Sequence, residues 1–357
     1  MKREIILFPY LPLRDRTAVD GWTLIPSRDV QKEDCVDDLA LNAALGLLRL
    51  YSDQGGPHRA GALAQPPSAI GDPVRPGALA RLRRAVMVAC LDTNPSGVIP
   101  DDEQTGNEGW ATYTSEHLQI WGHAVDDHGR LADQRGGMVT VLTGGYNVLE
   151  TGDLRFAPPP EMHQLIFARP FDDEYATAVH RVLGARGETA RRLARTIDWL
   201  GLAWQNADSI DQNLRIVSLF SGFEVILAKP ADAKAAALAL GALLDPPGTR
   251  TRCYKSWRTR KGKPVPDKIS QLSWWFVQFA WLRNAILHGD RLTARNYHDR
   301  RGRPHKWVAE LTLRHAIKET VACAGYPDIR VDPATRTLTR AIKDAISRGE
   351  FSPPPGT

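Results

Sequence analysis

An α+β fold is predicted for this chain, with a strand-rich mixed domain over residues 1–170 followed by an all-α bundle over 171–326. Three observations lead there. Up to about residue 170, apolar and β-branched residues alternate or cluster between Gly, Pro, Asn and Asp, the pattern of strands and turns. Beyond Phe171 apolar residues recur at spacings of three and four, the period of a helix with one buried face. The 357 residues, 43% hydrophobic and 24% charged, exceed one typical domain and carry enough apolar surface for two cores.

In chain order, REIILF and WTLIP read as strands, and VDDLALNAALGLLRLYS reads as a helix. The stretch from Gln54 to Pro76 is rich in Gly, Ala and Pro and is expected to be an exposed loop. A second helix, PGALARLRRAVMVACLD, follows it, and then two strand-like pieces, SEHLQIWGHAV and GGMVTVLTGGYNVLE. Pro158, Pro159 and Pro160 close this part and mark the expected boundary. Six segments after it can each be laid on a helix: DDEYATAVHRVLG, ETARRLARTIDWLGLAWQNA, SIDQNLRIVSLFSGFEVILA, DAKAAALALGALL, PDKISQLSWWFVQFAWLRNAILH and VAELTLRHAIKETVACA. About five of them should make a bundle. Residues 327–357 should hold one more amphipathic helix, TLTRAIKDAISR, and a disordered FSPPPGT tail.

Composition excludes several classes. No run approaches the ~20 apolar residues of a membrane span, and the short apolar start lacks the cleavage site of a signal peptide. Cys35, Cys90, Cys253 and Cys323 lack the close pairing of a zinc module or a disulfide framework, as expected of reduced thiols in a cytoplasmic protein. The net charge of +5 is unevenly spread. Between Arg250 and Lys306 lie fifteen Lys and Arg against three Asp, a local +12 that leaves −7 for the remainder. Such an imbalance points to a polyanion, nucleic acid first.

That basic region surrounds WLRNAILHGD, where a nearly all-apolar segment suddenly carries Arg283, Asn284 and His288. Burying such groups is costly unless each is partnered. The helix should start after Asp267 as cap, stop at Gly289, and lie in the centre of the bundle, being apolar almost all round from Leu272 to Leu287. At about 100° per residue, Asn284 and His288 are roughly 40° apart and can touch, whereas Arg283 and His288 are about 140° apart. Two arrangements could still bring all three together. Either the last turn unwinds at Gly289, or an equivalent helix from a second subunit completes the site across a two-fold axis.

In the preceding helix Val217, Phe220, Glu224 and Leu227 form one stripe, so Glu224 should face the core and pair with Arg283 or His288. Basic loops flank the motif, with Arg252, Lys255, Arg258, Arg260 and Lys261 before the helix and Arg291 and Arg295 after it. Tyr254, Trp257, Tyr297 and Trp307 interleave them. Cations meet phosphate and aromatic faces stack on unpaired bases, so Trp257 with these cations is read as an RNA-binding set suited to single strands.

Arg283, Asn284, Ala285, Ile286, Leu287 and His288, closing a helix before Gly289, resemble the signature of the HEPN superfamily. The stretch FEVIL from Phe223 to Leu227 resembles the Glu-bearing helix of its Apea-like branch, and the likeness covers about residues 171–325. The resemblance implies a HEPN-type bundle and a metal-independent endoribonuclease acting as a homodimer, with no cofactor and no metal. It implies His288 as general acid or base, Arg283 on the scissile phosphate, and Asn284 orienting His288, with Glu224 beside them. Attack by the ribose 2′-hydroxyl would leave a 2′,3′-cyclic phosphate and a 5′-hydroxyl and would spare DNA. Members serve in toxin–antitoxin pairs and antiphage defence, often under an inhibitor or activator protein. The basic insert between the two key helices is longer than the family's compact pattern. The competing reading is a non-catalytic RNA-binding or protein-interaction module, in which the same three residues only stitch the helix end into the bundle. A metal cluster of His117, His123, Asp126, Asp127 and His128 is the weaker candidate, since DDHGR also reads as a hairpin turn.

Overall fold

The computed structural model describes residues 3–9, 11, 13, 15–50, 52–53, 56–57, 61–75, 77–93, 115, 118, 120–125, 140–141, 144–145, 172–205, 210–229, 232–245, 252–253, 268–299 and 304–330. The architecture is α+β, with eight helices and one five-stranded antiparallel sheet among these residues. They divide into two compact units, one reaching His180 and the other starting at Arg181.

In the first unit the strands are β1 (Arg3–Phe8), β2 (Thr17–Val19), β3 (Trp22–Pro26), β6 (Ala62–Gln65) and β7 (Trp121–Val125), in the order β2-β3-β6-β1-β7. The apolar run Ile5, Ile6, Leu7, Phe8 is at most 1% exposed, which requires cover on both faces of β1. Helices α1 (Asp38–Leu50) and α2 (Ala78–Thr93) belong to the same unit. Their stripes Ala40, Ala44, Leu47 and Leu82, Ala85, Val86, Ala89 are buried. Two short ribbons pair β4 (Ser52–Asp53) with β5 (Gly56–Pro57) and β8 (Thr140–Val141) with β9 (Gly144–Gly145).

Two parts of the sheet depart from the expectation. The supposed exposed loop Gln54–Pro76 contains β6, a strand bonded on both sides, with Leu24 opposite Ala64 and Leu7 opposite Leu63. Ala62 and Leu63 are fully buried. Small Ala side chains hide this strand in the sequence, because they carry little strand propensity, yet they suit a site between two covering layers. The hairpin β2–β3 was also unexpected, although Asp20-Gly21 at its turn is a strong local signal: both residues have positive φ, 46° and 84°. Among the described residues of SEHLQIWGHAV, Trp121–Val125 is strand, while Ser115 and Leu118 are buried ahead of it.

Helix α3 (Asp173–Gly184) starts at Asp172, whose carboxylate accepts from the Tyr175 N–H. It is bonded to the β2–β3 turn, where the Asp20 N–H donates to Thr177 Oγ1 and His180 Nδ1 lies 2.8 Å from Asp20 Oδ2. The bundle of the second unit is then α4 (Glu188–Ala203), α5 (Gln212–Ile226), α6 (Ala233–Leu244), α7 (Gln271–His288) and α8 (His305–Cys323). Its centre is aromatic: Phe220 and Phe223 of α5 pack against Trp275, Phe276 and Phe279 of α7. Trp275 Nε1 donates to His305 Nδ1 of α8 at 3.1 Å, which satisfies the buried indole. Pro158–Pro160, the helix expected after residue 327 and the terminal tail lie outside the described residues.

Candidate functional site

Helix α7 carries the candidate site, and its cap differs from the expected one. Ser270, not Asp267, caps it, accepting from the Ser273 N–H at 3.0 Å. Lys268–Ile269 just before it form strand β11, paired with Arg252–Cys253 of β10. At the other end Gly289 takes the left-handed conformation at φ 71°. The Asp290 N–H bonds to Ala285 O and the Gly289 N–H to Ile286 O, which is a Schellman ending. The last turn therefore stays helical through His288, and unwinding at Gly289 is ruled out as the way to bring the imidazole round to Arg283.

Burial along α7 agrees with a central helix as far as Leu282 and corrects it at Trp281 and Leu287, which are exposed. Leu272 to Leu282 is core except for Gln278 and Trp281, and then the helix emerges: Asn284, Leu287 and His288 are exposed and Arg283 is half-buried. Arg283 is held from three directions. Its guanidinium carbon lies 5.1 Å from the Phe220 ring centroid, Nη1 donates to Asn284 Oδ1 at 3.0 Å, and Nη2 is 3.9 Å from Glu224 Oε2. Aromatic contact compensates part of the lost hydration, since Nε is buried with no hydrogen-bond partner among the described residues. Glu224 thus meets Arg283 as its stripe predicted, at ion-pair distance and with about a fifth of its side chain exposed.

Asn284 differs from the role that the resemblance assigns to it. Its carbonyl oxygen is engaged by Arg283, and among the described residues no hydrogen bond links it to His288. His288 faces solvent on the far side of the helix from Arg283, so one chain presents the cation and the imidazole to different directions.

The predicted RNA-binding set is divided by the length of α7. Arg252 sits on β10, at the N-terminal end of the helix. Arg291 and Arg295 are exposed just past its C-terminal end, about 26 Å away by helical rise. Lys255, Trp257, Arg258, Arg260 and Lys261 lie outside the described residues, as does Tyr254. Two of the aromatic residues read as stacking groups are otherwise used. Trp307 is buried at 7% exposure in α8, and the Tyr297 hydroxyl donates to Asn213 Oδ1 at 2.7 Å, tying the turn Ala294–Tyr297 to the start of α5. Sequence reading missed Trp281, taken as core because it lies in an apolar run; it is 54% exposed.

Elsewhere, burial pushes the His123 imidazole on β7 down to about 4, so that it is neutral at physiological pH. His117, Asp126, Asp127 and His128 lie outside the described residues, among which no group of three His, Cys, Asp or Glu could hold a metal ion. Burial first, then Asp34 and Asp37, push the Cys35 thiol up to about 11, and burial pushes Cys90 up as well, leaving both protonated at neutral pH. No helix among the described residues is long and apolar enough to cross a membrane. Comparison of the chain with protein-family models, with curated proteins and with solved structures finds no match.

Proposed function

We propose that this chain is a metal-independent endoribonuclease of toxin or antiphage-defence type, with a HEPN-type bundle whose site is completed by a second copy of the chain. The observation that carries the reading is the last turn of α7. Arg283 is set against Phe220, Glu224 and Asn284, while His288 projects freely from the opposite side of a helix that keeps its regular form to the end. Two such ends, facing each other across a two-fold axis, would bring the cation of one copy to the imidazole of the other.

In the reaction, His288 takes the proton of a ribose 2′-hydroxyl, and the 2′-oxygen bonds to the adjacent phosphorus. Arg283 neutralises the charge that grows on the phosphoryl oxygens, with its planar fork already oriented by Asn284. The bond from phosphorus to the 5′-oxygen breaks, and a protonated imidazole supplies the proton that oxygen needs. The products are a 2′,3′-cyclic phosphate and a 5′-hydroxyl. RNA, single-stranded or structured, is the substrate, and DNA lacks the nucleophile. Arg291 and Arg295, exposed past the end of α7 against one exposed carboxylate, Asp290, favour a polyanion at this end of the helix.

The same contacts favour a second reading. Arg283 bound to Asn284 and Glu224 is also how a helix end is stitched into a bundle, as in a non-catalytic RNA-binding or protein-interaction module. The deciding experiment incubates the protein and its His288→Ala form with labelled single-stranded RNA in excess chelator and reads the fragment ends by mass. Cleavage by the wild type alone, with cyclic phosphate ends, is expected. Equal folding and binding of both forms without any cleavage would leave the binding module.

A further inference from the structure

We infer that Trp281 is a base-stacking platform for single-stranded RNA, placed to hold a nucleotide next to the one at His288; the assignment rests on the RNA reading above. Trp281 is 54% exposed, and, with Leu287, one of two large apolar side chains on α7 left in solvent. It precedes His288 by seven residues, so the two project within about 20° of each other, roughly 10 Å apart along the axis. Asn284 and Ala285 lie between them. That span is on the order of one to two nucleotides of an extended strand.

Three features favour RNA over another protein as the occupant. The indole is fixed rather than loose, because Trp274 meets it edge to face with ring centroids 5.9 Å apart at 85°. A ring held in this way stacks on a flat base at little entropic cost. The exposed face is also not an apolar stripe: Trp281 and Leu287 are about 120° apart, with the polar Asn284 and His288 exposed in the sector between. A dry protein contact would favour continuity there. Finally, Gln271–His288 contains no carboxylate, and past its end the exposed Arg291 and Arg295 outnumber the exposed Asp290, so the charge at this end of the helix suits a polyanion.

The test uses the full chain in the His288→Ala background, which keeps RNA intact, and adds Trp281→Ala, Trp281→Phe or Trp281→Leu. Binding of a labelled oligouridylate is read by anisotropy, inorganic polyphosphate serves as a base-free competitor, and the oligomeric state is read by sedimentation. The expected result is a roughly tenfold or greater loss of RNA affinity in the Ala and Leu forms. The Phe form stays near the parent, while polyphosphate affinity and oligomeric state are unchanged. RNA binding within twofold of the parent in the Ala and Leu forms overturns the proposal. So does an equal loss toward RNA and polyphosphate, and so does dissociation into monomers, which would assign Trp281 to a subunit contact. Cleavage by the wild type in the same preparation separates the failures: a cutting enzyme indifferent to Trp281 loses the stacking role alone, whereas a parent that binds no RNA loses both.

Discussion

Arg283 is a charge carried at the end of an apolar helix, and its contacts use different parts of the guanidinium. The guanidinium carbon lies over the Phe220 ring, one nitrogen donates to Asn284, and another nears Glu224. A lysine ammonium keeps the charge but cannot serve all three directions. On the proposed nuclease reading, Arg283→Lys is expected to fold and to cut RNA about a hundredfold more slowly than wild type, as single-turnover rates would show. In the first unit Asp34 is the informative carboxylate. Burial works to raise it, but two bonds from Arg16 and one from the Gln31 N–H overcome burial and hold it below the usual carboxylate range. A group depressed on folding contributes stability above its unfolded value near ~4, and that contribution is lost as pH falls through the folded value. Asp34→Asn is therefore expected to cost about 1–3 kcal/mol at neutral pH. Urea melts at several pH values should show the gap closing in acid, and a gap independent of pH would refute the charge as its source. At this scale the pairing of Glu224 with Arg283 was legible because a three-and-four stripe gives direction. The partner of Asn284 was not, since a neighbour at the next position lies about 100° away on the helix and only the long Arg side chain closes the gap.

Among the elements, α7 depends on two glycines of different kinds. Gly289 has open space around it, so a methyl group there meets nothing and the cost of Gly289→Ala is the left-handed backbone itself, about 1 kcal/mol. The Schellman ending should loosen with it, and the His288 resonances should broaden in an NMR spectrum. Gly241 on α6 is a close approach instead. A Cβ there would stand 2.3 Å from Ser273 Oγ, whose hydroxyl donates to Ala237 O and sits beside the cap of α7. Gly241→Ala must displace that hydroxyl, and a loss of about 1–3 kcal/mol in thermal melts is expected. The end of α7 was legible, because Gly after a helical run has one common use. Its start was not: the choice between Asp267 and Ser270 as cap turns on the β10–β11 pairing, a contact between residues far apart in the chain. Strand β6 escaped for a related reason, since Ala-Leu-Ala-Gln becomes a strand only when β1 and β3 offer their free edges.

For the whole molecule, the proposed composite site has a consequence that a single-chain site lacks. If Arg283 of one copy serves His288 of another, mixing refolded Arg283→Ala and His288→Ala chains should restore one complete site in each mixed dimer. That amounts to about a quarter of wild-type activity from two inactive proteins. A site complete within one chain would show no recovery at any mixing ratio. The α+β class, the central place of α7 in the bundle and the residues of its last turn were determined by the sequence alone, because hydrophobic period and helix-stop chemistry are local and repeat along the chain. Tertiary structure decided the rest: that Ala62–Gln65 is a buried strand, that Trp307 is core while Trp281 is surface, and that Arg283 is half-buried against Phe220 while His288 is left in solvent. Each of these depends on which surfaces neighbouring elements cover, and burial is a property of the packed neighbours rather than of the residue that is buried.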